Sequence, residues 1–176
     1  MVIETERLRL REYTWEDYDA LYAILADPET MRFYPKPYDE EKVRGWITWN
    51  LKNYREHGFG IWAVTRKDTG EMIGNCGLTI QMIDGEPLPE IGYHIRRDCW
   101  RHGYGSEAAR AVRDWAFENT GYGCLYSYMK YTNLPSQATA MANGMEKVKE
   151  YPNEKDGVTC VYAITRERWA ALTGRR

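Results

Sequence analysis

Long apolar runs, an excess of basic residues and clustered metal ligands are all missing from this sequence. No run approaches the roughly 18 apolar residues of a membrane-spanning helix, so we expect no membrane partner. The 24 Lys and Arg are balanced by 26 Asp and Glu, for a formal net charge of -2. A nucleic-acid-binding protein would need a basic face, so nucleic acid is not an expected partner either.

Cysteine and histidine are also sparse, and their placement argues against metal binding. The three histidines form no cluster with the cysteines, and no C-x-x-C spacing occurs. The four cysteines are scattered, mostly in apolar, strand-like segments: Cys76, Cys99, Cys124 and Cys160. We interpret them as buried, reduced thiols. Since Met1 to Arg11 also lacks the apolar segment of a secretory signal, we expect a cytoplasmic protein without a resident metal.

The length and the pattern of the chain favour one domain. A chain of 176 residues can bury a substantial core of its own. Helical periodicity and strand-like runs alternate along it, without an internal repeat or a shift in composition. We therefore predict a single α/β (α+β) domain over residues 1–176.

The most informative segment is a glycine-containing loop between a predicted strand, Glu90–Ile95, and a predicted helix that contains Ala108 and Val112. The loop reads Cys99-Trp100-Arg101-His102-Gly103-Tyr104-Gly105. Glycine permits close approach of a ligand, and the free N–H groups of a helix start attract anions. Arg101 and His102 can add positive charge. The pattern indicates a phosphate site, although two glycines before a helix are also a common turn. It is neither a Walker loop nor a dinucleotide fingerprint.

Other segments extend the pattern into a family resemblance. They are Thr5–Arg11, Trp100–Ala108, Asn133–Ser136, Gly144–Met145 and Thr165–Trp169. Together they resemble the GCN5-related N-acetyltransferase (GNAT) family, and most of all the RimJ/RimL-like branch of ribosomal-protein N-terminal acetyltransferases. The chain departs from the family pattern where Trp100 stands for Gln or Arg, Met145 for Phe, and Met141-Ala142 for Glu-Lys.

The resemblance implies a fold and an activity. The fold is a mixed, mostly antiparallel sheet with helices on both faces, in which two central parallel strands, Glu90–Ile95 and Cys124–Met129, splay apart to admit acetyl-CoA. The activity is direct acetyl transfer to a primary amine, on a protein N-terminus or a small molecule. A silent acyl-CoA-binding domain is the alternative, because the family's usual tyrosine, seven places after Asn133, is Ala140. Family members occur as monomers and homodimers, and the tail strand Val158–Ile164 could pair across an interface.

The resemblance also implies which residues contact acetyl-CoA. Backbone N–H groups on the first central strand would bind the carbonyl, the glycine loop would bind the pyrophosphate, and the Asn-x-x-Ser segment would hold the arm. These residues are Tyr93, Ile95, Arg101, His102, Gly103, Tyr104, Gly105, Ser106, Asn133 and Ser136.

Three residues are candidates for catalysis. Glu90 is the first candidate base, but the ordinary pKa of a glutamate, about 4.3, is low for that role, so burial would have to raise it. His94, with an ordinary pKa of about 6.5, is the alternative base. Ser136 would serve the departing thiolate as an acid or as a hydrogen-bond donor. We expect acceptor specificity to lie in two loops, Phe33–Tyr38 and Gln81–Pro89.

Overall fold

The computed structural model describes residues 2–154 and 157–175, which form one sheet and five α-helices. The strands are β1 Val2–Glu4, β2 Leu8–Arg11, β3 Ile61–Arg66, β4 Met72–Ile83, β5 Glu86–Ile95, β6 Cys124–Lys130, β7 Glu146–Asn153 and β8 Gly157–Thr165. The helices are α1 Tyr18–Leu25, α2 Glu40–His57, α3 Tyr104–Asn119, α4 Leu134–Ala142 and α5 Arg166–Thr173.

The eight strands of this described region lie in the order β1-β2-β3-β4-β5-β6-β8-β7. Every neighbouring pair is antiparallel except β5 and β6, which are parallel. The mixed, mostly antiparallel α/β sheet is therefore confirmed, with the parallel pair at the predicted place.

Helices cover both faces of the sheet, as predicted. On one face, α1 and α2 enclose a core that includes Leu21, Val43 and Ile47. On the other, α3 packs through Ala108 and Val112 against the second core. We call these the α2 face and the α3 face.

The parallel pair separates almost as soon as it forms. In the described part of the chain, the pairing of β5 with β6 is limited to Glu90 and Tyr126. Beyond that point the Ser127 hydroxyl, rather than a backbone N–H, donates to the carbonyl oxygen of Ile91 at 2.7 Å. The C-terminal halves of the two strands thus diverge from Glu90 onward, which is the splay that the resemblance implied.

Two predictions about the strands were wrong. Residues Gln81–Pro89 form no loop, because β4 and β5 stay paired as far as Ile83 and Glu86 around a turn at Asp84 and Gly85. The tail strand is not available for pairing across an interface, because β8 lies between β6 and β7. Among the described residues, no helix is long and apolar enough to span a bilayer.

Candidate functional site

The glycine loop ends in a helix start that is open to solvent. Arg101 and Gly103 both have positive φ, 63° and 80°, and α3 begins directly after them at Tyr104. The N-cap residue, Gly103, has no side chain with which to cap this helix. The N–H groups of the first helical turn therefore point out of the end of α3, and the left-handed residues before them form a concave backbone turn. This geometry suits an anion.

An ion pair between Arg7 and Glu107 joins the glycine loop and the start of α3 to the segment between β1 and β2. Arg7 donates from Nε to Oε2 of Glu107 at 2.7 Å and from Nη1 to the carbonyl oxygen of His102 at 2.9 Å. Its guanidinium also lies 4.5 Å from the centre of the Tyr104 ring. Thr5 donates its hydroxyl to Oε1 of Glu107 at 2.6 Å. Burial would raise the pKa of Glu107, but the bonds from Thr5 and Arg7 lower it, so its carboxylate is charged and neutralised locally.

Trp100 connects the loop to the first central strand. Its indole N–H donates to the carbonyl oxygen of Ile95 at 2.6 Å. The Arg32 guanidinium lies 5.2 Å from the centre of the indole ring, which joins the loop to the connector before α2. His102 turns its Nδ1 to the Trp100 carbonyl at 2.8 Å and stacks on Tyr104. An aromatic residue at position 100 thus has a defined structural role here.

The backbone groups of Tyr93 and Ile95 face the splay. The N–H of Leu78 donates to Gly60 at 3.2 Å, so even-numbered residues of β4 direct their backbone groups away from β5. Through the register of β4 with β5, it is then the odd-numbered residues of β5 that point towards β6. The bond from Ser127 to the Ile91 carbonyl agrees with this direction. The N–H groups of Tyr93 and Ile95, the predicted carbonyl binders, are therefore directed into the gap between the two strands.

The start of α4 closes the same gap from the α3 face. Asn133 caps this helix, its Oδ1 accepting from the N–H of Ser136 at 3.2 Å. The Tyr93 hydroxyl donates to the carbonyl oxygen of Ser136 at 2.9 Å and lies 3.0 Å from its Oγ. Burial raises the pKa of Tyr93, so its phenol keeps its proton. Asn133, Ser136 and Tyr93 are brought together, but sequence reasoning missed the Tyr93 hydroxyl.

Glu90 lies at the point where the splay opens, on the α2 face. Its carboxylate has the Thr79 hydroxyl as a partner at 3.4 Å. A side chain at Gly92 would meet it, since a Cβ there would lie 2.9 Å from Oε2. Burial raises the pKa of Glu90 to about 7, against a smaller lowering by the hydrogen bond from Thr79. A glutamate near pKa 7 can act as a base at neutral pH.

His94 lies on the same face of β5, four residues after Glu90, but its environment differs. Its Nδ1 lies 2.9 Å from Oδ1 of Asn75, and its ring contacts Tyr34 and Trp46 at centre distances of 5.1 and 6.0 Å. Among the described residues, Nε2 is buried without a hydrogen-bond partner. Burial lowers the pKa of His94 to about 4, so the imidazole is neutral at pH 7 and a weak base.

The connector Phe33–Tyr38 borders the same place. Tyr34 is 41% exposed, yet its ring packs on His94. Burial of the hydroxyl raises the pKa of Tyr34, and the neighbouring Glu90 adds to the effect. One end of the connector therefore forms a wall of the space around Glu90.

Metal ligands are not assembled in the parts of the chain that the structure describes. There, no group of three His, Cys, Asp or Glu side chains could hold a metal ion. All four cysteines are free, and Cys76, Cys99 and Cys160 are buried.

Comparison with known proteins gives the same family. A family model described as the acetyltransferase (GNAT) domain matches residues 7–146. The uncharacterized protein YkkB of Bacillus subtilis is 35% identical over 146 residues, covering 82% of this chain and 85% of the relative. An acetyltransferase structure from Agrobacterium tumefaciens has a TM-score of 0.81 at 30% identity, covering 94% of this chain and 95% of that one.

A third comparison concerns the fold alone. RimL, a ribosomal alpha-N-protein acetyltransferase solved in complex with coenzyme A, has a TM-score of 0.78 at 17% identity. The match covers 94% of this chain and 98% of that chain. With the family model spanning most of the chain, these results confirm the resemblance seen in the sequence. The chain belongs to the GNAT family, and it is an acetyl-CoA-dependent N-acetyltransferase.

Proposed function

We propose that this enzyme transfers the acetyl group directly from acetyl-CoA to a primary amine, with Glu90 as the general base. The observation that carries the proposal is the position of Glu90: a half-buried carboxylate with a raised pKa at the single residue pair that joins β5 to β6 in the described chain, where the splay opens. His94, with its lowered pKa, is then a positioning residue whose ring supports Tyr34.

The glycine loop is the proposed site for the pyrophosphate of acetyl-CoA. Arg101 and His102 are exposed beside it, and the N–H groups of Tyr104, Gly105 and Ser106 lie in the uncapped first turn of α3. Gly103 permits the left-handed turn that exposes these groups. That RimL, which has the same fold, was solved in complex with coenzyme A supports coenzyme A binding by this fold.

The proposal assigns a residue to each chemical demand of the transfer. Glu90 takes a proton from the acceptor ammonium, directly or through water, so that the amine nitrogen can attack the thioester carbonyl carbon. The N–H groups of Tyr93 and Ile95 stabilise the negative charge that develops on the carbonyl oxygen. The carbon–sulfur bond then breaks, the sulfur leaves with its electron pair as a thiolate, and the nitrogen gives up its remaining extra proton to solvent to become the amide.

Ser136 is the group proposed to serve that thiolate. Its Oγ lies at the start of α4 beside the Tyr93 phenol. Because burial raises the pKa of Tyr93, neither hydroxyl is a strong acid. We therefore assign the Ser136 hydroxyl to hydrogen bonding of the thiolate, which takes its proton from solvent, while the Tyr93 hydroxyl holds the backbone of Ser136. Asn133, whose Oδ1 caps α4, fixes the backbone that carries Ser136.

Release of free CoA from acetyl-CoA tests the proposal when it is measured against a panel of peptide N-termini and small amines. We expect amine-dependent release that Glu90→Gln lowers by about 100-fold, in the range of general-base catalysis. His94→Phe, which keeps an aromatic ring under Tyr34, should retain most of the activity. Accumulation of an acetylated cysteine during turnover, or equal losses in the two variants, would contradict the proposal.

A further inference from the structure

The outer edge of β4 is left open near its end. β3 pairs with β4 only as far as Ile61 and Gly77, with one further bond from the N–H of Leu78 to Gly60. The alternation that directs the Leu78 N–H outward directs the backbone groups of Ile80 and Met82 outward as well. No strand within residues 2–154 or 157–175 pairs with them there. Their side chains are 39% and 64% exposed.

The other edge of the same hairpin is blocked. Pro87 and Pro89 lie on β5, opposite Met82 and Ile80. At these positions an N–H would point towards β6, and proline removes it. Proteins use proline in this way to protect an edge from unwanted pairing. One edge of the hairpin is therefore protected while the opposite edge keeps its donors and acceptors.

Two hollows meet at Phe59, which lies beside the start of the open edge because the next residue, Gly60, accepts from the Leu78 N–H. On the α2 face, a hollow of about 170 Å³ is lined by Trp49, Asn53 and Thr79 among others. On the α3 face, a hollow of about 580 Å³ is lined by residues that include Trp115 and Tyr122. His57 and Phe59 contribute to both. Since successive side chains of a strand point to opposite faces, an added strand would direct alternate side chains towards the two faces on which the hollows lie.

The smaller hollow leads to the proposed base. Thr79 lines it, and the Thr79 hydroxyl is the partner of the Glu90 carboxylate at 3.4 Å. A chain seated along Ile80 and Met82 thus has its end next to the face on which Glu90 lies.

We propose that the acceptor is an extended peptide that adds as a strand to the edge of β4 at Ile80 and Met82 and brings its free N-terminal amine across Thr79 to Glu90. The proposal rests on the proposed function and specifies its substrate class. The larger hollow, with aromatic walls, takes apolar side chains of the peptide, while the smaller one, with Asn53 and Thr79, takes small polar ones.

The surroundings of the edge favour a single strand over a second copy of the sheet. At the end of α2, His57 and Phe59 line the smaller hollow together with Thr79 and Ile80, so they form a wall beside the start of the edge. A single peptide strand fits beside such a wall, whereas a second sheet would bring helices of its own on both faces.

The test compares two acceptors with the same N-terminal pair of residues. One is an octapeptide of alternating Val and Thr after an N-terminal Ser, and the other is the Ser-Val dipeptide amide. We expect kcat/KM for the octapeptide to exceed that for the dipeptide amide by about tenfold or more, the factor that roughly two net hydrogen bonds supply. Equal values, with both acceptors acetylated, would overturn the peptide proposal and leave the acetyltransferase function intact.

Two further comparisons ask whether the peptide binds as a strand. Met82→Pro removes an outward N–H without touching the β4–β5 ladder, and Met82→Ala changes the side chain alone. We expect the advantage of the octapeptide to disappear in Met82→Pro and to persist in Met82→Ala, with acetyl-CoA affinity unchanged in both. The same octapeptide advantage in Met82→Pro and Met82→Ala would overturn the proposal.

A second test of strand binding uses modified peptides with the wild-type enzyme, so its result does not depend on the folding of a variant. Octapeptides N-methylated at one or the other alternate set of amides should differ about tenfold in kcat/KM, because only one set faces β4. An equal effect of both sets of methylated amides would show that the peptide does not bind as a strand. A concentration-dependent dimer that Met82→Pro abolishes would show that the edge of β4 binds a second copy of the protein. Either result would overturn the proposal. If acetyl-CoA binds but neither acceptor is acetylated, the proposed function fails and the peptide proposal falls with it.

Discussion

Arg7 and Glu107 are 100 positions apart in the chain, yet the Nη2 of one lies 2.6 Å from the Oε2 of the other. Through Nη1, the same guanidinium holds the carbonyl of His102 in the glycine loop. A carboxylate in the first turn of α3 would otherwise repel a pyrophosphate. Paired with Arg7, it instead anchors the loop to the N-terminal strands.

Replacing Arg7 should therefore weaken binding of the pyrophosphate without disturbing the chemistry. For Arg7→Ala we expect acetyl-CoA affinity to fall by about tenfold, roughly 1.4 kcal/mol, with kcat at saturation nearly unchanged. Acetyl-pantetheine, which has no pyrophosphate, should be used equally well by both enzymes. Arg9→Ala is the matched control, since Arg9 pairs with Glu4 on the exposed side of the same strands. A parallel loss with acetyl-pantetheine would show that Arg7 only stabilises the fold.

The pH dependence of the reaction should report Glu90. Since burial raises the pKa of this carboxyl to about 7, kcat/KM should rise with pH through about 7, as the base loses its proton. The profile is measured with an acceptor whose own pKa is known, so that ionisation of the amine can be separated. His94→Phe should retain the rise and Glu90→Gln should abolish it. A rise centred near pH 4 that disappears in His94→Phe would identify His94 as the base instead.

The same pKa makes a prediction for stability. A carboxyl with a raised pKa binds its proton more tightly in the folded state, so its contribution to the free energy of unfolding is full below about pH 4.5 and is lost as the pH rises through about 7. Glu90→Gln removes this loss. We expect the variant to be more stable than the wild type at pH 8, by roughly 1–3 kcal/mol, and nearly equal to it at pH 4.5. Urea unfolding at the two pH values measures this difference, and a constant difference would contradict the burial of Glu90.

Ser136 should affect the departing thiolate more than the binding of substrate. Removal of one hydrogen bond to a developing charge predicts that Ser136→Ala lowers kcat by about ten- to 100-fold with a smaller change in acetyl-CoA affinity. The loss should shrink when the acetyl donor carries a thiol of lower pKa, which needs less help to leave. Thr132→Ala, at an exposed position before the same helix, is the control. A loss that is the same for every leaving group would remove Ser136 from this role.

The fold could be predicted where the signal is local. Asp39 begins α2 as a cap, accepting from the Lys42 N–H at 2.9 Å, and Gly58 ends it with a φ of 76°. By contrast, β7 carries almost no apolar pattern, because its side chains are mostly exposed and charged. It exists as a strand through its pairing with β8, which no local pattern reveals.

In the candidate site too, features that depend on neighbouring residues could be predicted, whereas contacts between distant segments could not. The backbone turn of the glycine loop depends on residues next to one another, so its sequence was enough to indicate an anion site. The bond from Tyr93 to Ser136 and the ion pair of Arg7 with Glu107 join segments 43 and 100 positions apart. Neither partner is unusual by itself, and only the fold brings them together. The raised pKa of Glu90 could not be predicted from the sequence either, because it follows from burial by distant segments.

Calorimetric titration of acetyl-CoA into the pure protein tests the central claim most directly, with CoA and ATP as controls. We expect acetyl-CoA and CoA to bind and ATP not to bind. Gly103→Val, which forces a side chain into a left-handed turn at a φ of 80°, should weaken binding by about tenfold or more. Gly70→Val, at a φ of 73° in the turn between β3 and β4, carries the same strain away from the loop and should bind normally. Failure of acetyl-CoA to bind, or equal losses in the two variants, would contradict the assignment of the glycine loop as the acetyl-CoA site.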